Sequence, residues 1–148
     1  MEKQSIRRIV FFSTAANDLE REDLLELFDM ASRNSTANSL TGLSMYHRRS
    51  FCHIREGDPN EITKSLVRME QSHWHYNLSI VSDTIVERRR FRKWFFAFEG
   101  GGKFEDRGPN QILEIHKIFE TAELDHAFED LACRSFAQAF TDDIKAST

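Results

Sequence analysis

LTGLSMYHRRSFCHIREG, residues 40–57, is the stretch that decides the fold. Leu43, Met45 and His47 alternate with Ser44 and Tyr46, and Phe51, His53 and Arg55 alternate with Cys52, Ile54 and Glu56. Alternation with a period of two is the mark of a strand, and the short gap at Arg48-Arg49 predicts a hairpin. Arg-Arg is not a favoured turn pair, so the loop is expected to borrow a residue or two from either side. The second strand sets His53 and Arg55 on the face of Phe51. An imidazole and a guanidinium on a face meant for packing need either water or a function.

Working outward, Ile6 to Ser13 reads as a first strand, apolar on both faces at Ile9 to Phe12 and so central. Asn17 and Asp18 are cap candidates for a helix from about Leu19 to Arg33, with Leu24, Phe28 and Ala31 as its buried stripe. Asp58-Pro59-Asn60-Glu61 is the sharpest local signal. Asp58 caps, Pro59 takes the first helical position, and Ile62, Leu66 and Met69 form the stripe of a second helix ending near Gln71. Leu78 to Val81 follows as a strand, then the basic loop Arg88 to Lys93, then a short aromatic strand from Trp94 to Phe98. Gly100-Gly101-Gly102 reads as a flexible joint. Beyond it an all-helical tail is expected, one helix from Gly108 carrying Ile112, Ile115 and Phe119, and a last one carrying Phe128 to Phe140.

The order βαββαβ, with one added strand, predicts an α+β, ferredoxin-like sheet. Both long helices should lie on the face of Phe11 and Phe51. The tail helices should cover Val10, Phe12, Cys52 and Ile54 on the other. Residues 1–100 form the main domain, and 101–148 a helical extension packing on it.

The chain has 148 residues, 40% hydrophobic and 30% charged, with thirteen phenylalanines to bury in a core, pocket or interface. A net charge of −4 gives no general reason to expect nucleic acid or an anionic membrane. Cys52 and Cys133 are too few for a disulfide framework. Only Ile9 to Phe12 follow Arg7-Arg8 as an apolar run, which is no signal peptide, and no segment reaches the ~20 apolar residues that span a bilayer. A cytoplasmic protein is the expectation. His47, Cys52, His73 and His75 lack metal-ligand spacing, and no nucleophile–base pair is visible, so neither a metal site nor an enzyme is expected. An acyl-phosphate hydrolase on the same topology lacks an arginine–asparagine site. The basic run is read as a solvated loop.

From Arg7 to about Phe98 the chain resembles the BLUF domains, flavin-binding blue-light sensors. The resemblance rests on RRIVFFS in the first strand, LTGL at Leu40 to Leu43, and the Phe51 segment ending in Glu56-Gly57. Arg68, His75 and Arg89-Arg90-Phe91 before Trp94 complete it. It implies an FAD ring between the two long helices, over Phe11 and His53. The positions carried over as cofactor-binding are Phe11, Asn34, Ser35, Phe51, His53, Arg55, Arg68, Trp94 and Phe96.

Several of these depart from the family's pattern. The family's first-strand tyrosine, which passes an electron and a proton to excited flavin, falls on Phe11. Its glutamine, whose hydrogen bonds rearrange around the flavin, falls on His53. A ring-binding asparagine falls on Ser35, with Asn34 beside it. A methionine falls on Phe96, an apolar strand position on Arg55, and an aspartate that would partner Arg68 on Ser72. Phenylalanine has no O–H to give, and imidazole cannot reproduce an amide rearrangement. Losing two hydrogen bonds to a ring edge costs about 2–3 kcal/mol, roughly two orders of magnitude in affinity. The resemblance implies a sensor-family regulator with weakened FAD binding, a lost photocycle, and signalling to a protein partner or a second copy of itself. The alternative is a flavin-free, light-independent interaction module.

Overall fold

The computed structural model describes residues 5–104 and 108–146. Strand β1 (Ile6–Ala15) lies inside a six-stranded sheet, flanked by β3 (Ser50–Gly57) and β4 (His75–Val86) and antiparallel to both. β2 (Thr41–His47) pairs with β3, and β5 (Trp94–Phe98) runs parallel to β2. With β6 (Gln111–Glu114) at the far edge, the order is β4-β1-β3-β2-β5-β6. Helices α1 (Arg21–Ala37) and α2 (Pro59–Glu70) lie on one face, over Phe51 and Phe96 and over Ile9 and Phe11 respectively. On the other face the tail covers Val10, Phe12, Cys52 and Ile54. The α+β, ferredoxin-like arrangement is the one the alternation predicts.

Local chemistry explains the boundaries. Asp58 accepts from the backbone N–H groups of Asn60 and Glu61 and Pro59 opens the helix, so α2 starts where expected. α1 starts two residues later than expected. The Leu19 N–H donates to the Tyr46 hydroxyl at 3.1 Å, and the Glu20 N–H to Asp23 at 2.9 Å, holding the chain extended up to the cap. The hairpin turn uses Arg48 and Arg49 alone, both in the left-handed region with φ of 45° and 70°. That conformation is costly for these residues. Three hydrogen bonds from the Arg49 guanidinium to the carbonyls of Ala15 and Ala16 offset it.

The tail departs from the all-helical expectation. Gln111–Glu114 is strand β6, parallel to β5, so the sheet gains a sixth strand. Gly101 lies in a one-turn 3-10 helix rather than a loose joint. A Cβ there would meet the Leu113 carbonyl, so glycine permits a close approach to β6. Short turns over Ile115–Glu120 and Ala122–Leu124 lead to α3 (Asp125–Phe128) and α4 (Leu131–Ala146). The strand expected at Leu78–Val81 is twelve residues long, with register shifts that break its alternation.

One ionic cluster fastens the tail to the sheet. Glu56 is fully buried; its Oε2 accepts from Arg8 Nε and Nη2 at 3.0 and 2.8 Å. Its Oε1 accepts from the backbone N–H groups of Arg90 and Phe91 at 2.8 and 3.0 Å. Arg8 also reaches Asp130, whose other oxygen accepts from the Cys133 N–H in the first turn of α4. The basic loop is thus partly structural. Among the described residues, no helix is long and apolar enough to cross a membrane.

Candidate functional site

The sheet face beneath α1 and α2 carries a wall of rings. β1 and β3 set Phe11 opposite His53, stacked with centroids 4.5 Å apart. Two residues along β3, Phe51 stacks on the other side of His53 at 5.3 Å. His75, at the start of β4, meets Phe51 and His53 edge-on at 5.8 and 6.1 Å. Trp94 and Phe96 extend the wall along β5, with Phe28 of α1 stacked on Trp94.

Polar groups thread through it. Trp94 Nε1–H donates to Ser44 Oγ at 3.0 Å, and Ser44 Oγ lies 2.8 Å from His53 Nδ1. His53 Nε2 is buried with no hydrogen-bond partner among the described residues. His75 Nδ1 is 2.7 Å from Ser13 Oγ. Arg55, 8% exposed, lays its guanidinium over the Phe11 ring at 5.6 Å and donates to Ser65 Oγ and to Met69 Sδ. Among the described residues no carboxylate forms an ion pair with it. Burial, with Arg68 adding repulsion, pushes the Arg55 pKa down to about 10. Burial and Arg55 lower His75 to about 4, and burial takes His53 well below its usual range. Both imidazoles are therefore neutral at pH 7, and Arg55 is charged.

The structure brings Phe51, His53, Arg55, Trp94 and Phe96 together around one cavity, with Phe11 stacked behind His53. Asn34, Ser35 and Arg68 do not line it. Asn34 is exposed; Ser35 is buried and its carbonyl accepts from the Leu40 N–H at the helix end. Arg68 acts on the site through its charge beside Arg55. Sequence reasoning missed Ser44, Met69 and Trp74 as cavity walls. It also missed Asn110, which accepts from the Trp94 N–H at 2.9 Å and donates to Ser32 and Thr36 of α1. Their only sequence signal was position: Ser44 sits opposite His53 once the hairpin register is drawn.

The cavity measures about 40 Å³. Pockets that enclose drug-sized ligands run to roughly 300–1,000 Å³, and a flavin's tricyclic ring belongs in that range. Arg55, Met69, Trp74 and Phe96 wall the cavity in. Phe11 and His53 offer neither a phenol nor an amide. The residues present do not fit an isoalloxazine ring. A larger groove, about 510 Å³, lies at the start of α1 between Arg21, Tyr46, Arg48, Glu99 and Lys103. It mixes both signs of charge and holds none of the expected site residues.

Comparison with known proteins agrees with the fold. A family model described as BLUF, sensors of blue-light using FAD, matches residues 6–97. No curated protein matches the sequence. Among solved structures the chain is similar to Klebsiella pneumoniae BlrP1 with FMN and cyclic diGMP, at 15% identity and a TM-score of 0.67, covering 93% of this chain and 35% of that one. It is similar to a bacterial light-regulated adenylyl cyclase at 15% identity and a TM-score of 0.62, covering 96% and 35%. The photo-activated state of BlsA aligns at 14% identity and a TM-score of 0.60, covering 89% of this chain and 91% of BlsA. The chain thus spans about a third of the BlrP1 and cyclase chains.

Proposed function

Because the chain belongs to the BLUF family, we propose that it is a regulatory module on the family's sensor fold that works without the flavin photocycle, through protein contacts. The observation that carries this is the small size of the cavity beside His53, about 40 Å³, bounded by Arg55, Met69, Trp74 and Phe96. Phe11 supplies neither electron nor proton, and His53 cannot hold a rearranged amide. The family fold is a sensory one, and no reaction is assigned to this chain. The two unpaired, buried thiols of Cys52 and Cys133 suit a reducing, cytoplasmic setting.

Strand β4 supports the protein-contact part. It is the outer strand of the sheet, with one open backbone edge. Tyr76, Ile80, Val81 and Ile85 along it are 46–62% exposed. Its one charged residue, Asp83, is paired with Arg7. Edges lacking lysine, proline or inward charge are templates for strand addition by a partner or a second copy.

The test is optical. The purified protein should be colourless and should stay so after incubation with FAD or FMN and gel filtration. If flavin is retained, blue light should bleach it or give a radical, with no small red shift of the flavin band. Retained flavin would overturn the reading that the site is closed to the ring, and a reversible red shift in the light-minus-dark spectrum would overturn the loss of the photocycle.

A further inference from the structure

At the cavity between α1, α2 and the sheet, Arg55 has no carboxylate partner and His53 Nε2 no hydrogen-bond partner among the described residues. We infer that the cavity is a binding site for a small monovalent anion, a halide or a species the size of nitrate or formate, held between the Arg55 guanidinium and His53 Nε2. The inference rests on the reading that no flavin ring fills this space.

The hydrogen-bond chain allows His53 Nε2 to be the donor. Trp94 Nε1 can only donate, so Ser44 Oγ accepts from it. The Ser44 hydroxyl then has one hydrogen to place, and His53 Nδ1 is 2.8 Å away. Giving that hydrogen to Nδ1 leaves the ring proton of neutral His53 on Nε2. Nε2 is buried and has no acceptor among the described residues, and the ring borders the cavity. His53 is 5% exposed.

Arg55 supplies the charge. Its partners are the Ser65 hydroxyl, the Met69 sulfur and the Phe11 ring face, all neutral. Buried charges are ordinarily paired, and here the charge that acts on Arg55 is Arg68, of the same sign. A water in the cavity would satisfy the Nε2 hydrogen and leave the charge unanswered.

Size and lining set the class. About 40 Å³ admits roughly three or four heavy atoms of ligand and excludes a phosphate ester. With both histidines neutral, one positive charge lies at the cavity wall, which matches a monoanion. Phe51, Trp74, Trp94 and Phe96 surround it with rings. Such walls favour weakly hydrated anions, since strongly hydrated ones lose more on leaving water.

The site has its own reporters, because Trp74 and Trp94 line it. Colourless wild-type protein is titrated with bromide, iodide or nitrate at constant ionic strength, against fluoride and sulfate. The expected result is a saturable change in tryptophan fluorescence and a rise in Tm with the first three. Arg55→Met should raise the half-saturation concentration at least tenfold. Linear quenching, equal in wild type and folded Arg55→Met protein, would overturn the inference. Should the variant not fold, wild-type crystals soaked in bromide decide the matter. An anomalous peak between Arg55 and His53 Nε2 supports it, and a cavity without one refutes it. Retained flavin in the starting protein would instead defeat the parent reading, and the spectrum reveals that before any anion is added.

Discussion

Removing the carboxylate of Glu56 should unfasten the tail. The group is fully buried and accepts four hydrogen bonds: two from Arg8, one each from the backbone N–H of Arg90 and Phe91. In Glu56→Ala all four donors lose their acceptor. Breaking a buried ion pair from one side costs about 3–5 kcal/mol, because the remaining charge is stranded. Arg8 keeps Asp130 at 3.2 Å, which limits its share of the loss. The Phe91 N–H is buried and keeps nothing, which adds about 1–3 kcal/mol of its own. The expected loss is about 4 kcal/mol, a large part of the 5–15 kcal/mol typical of a folded domain. Urea denaturation followed by circular dichroism measures it directly. Hydrogen exchange should show residues 125–146 opening first, since Asp130 holds both Arg8 and the first turn of α4. Arg8→Met combined with Glu56→Met should lose less than the two single changes summed, because neither leaves the other stranded. A loss below about 1 kcal/mol in Glu56→Ala would refute the claim that this pair fastens the two layers.

Two further outcomes are expected. Gly42 has φ of 148°, and a Cβ there would run into the Ile54 carbonyl, whereas Gly108 has φ of 72° with open space around it. Gly42→Ala should therefore cost about 4 kcal/mol or prevent folding, and Gly108→Ala only about 1–2 kcal/mol, compared by thermal denaturation. His75 titrates near 4 when folded and near 6.5 when unfolded, so the unfolded chain takes up the proton first as pH falls. Its contribution is present above pH 6.5 and drains away as pH falls through about 4, on the order of 3 kcal/mol in all. His75→Gln should flatten that slope, and an unchanged slope between pH 6.5 and 4 would refute the assignment.

Period-two alternation was enough to place β2 and β3, because each residue there has one face to choose and both faces are packed. It put His53 and Arg55 under the helices, and Cys52 and Ile54 under the tail, where they are. The same signal failed on β4, where Val81 falls at a register shift, Tyr76, Ile80 and Ile85 are exposed, and apolarity no longer marks the buried side. It failed on β6 for another reason. Ile112, Ile115 and Phe119 fit a helical stripe as well as a strand followed by a turn, and the choice is made by pairing with β5, whose partner residues lie sixteen positions earlier. Asn110 was illegible for that same reason, since its partners are on β5 and α1.

The site shows a deeper limit. Arg55 and Glu56 are neighbours in sequence and carry opposite charges, so they invite reading as a local pair. The pleat sends them to opposite faces of β3. Glu56 meets Arg8 and, through it, the tail; Arg55 meets a hydroxyl, a thioether and a ring. One strand thus carries a satisfied charge on the tail side and an unanswered one on the helix side, a single residue apart.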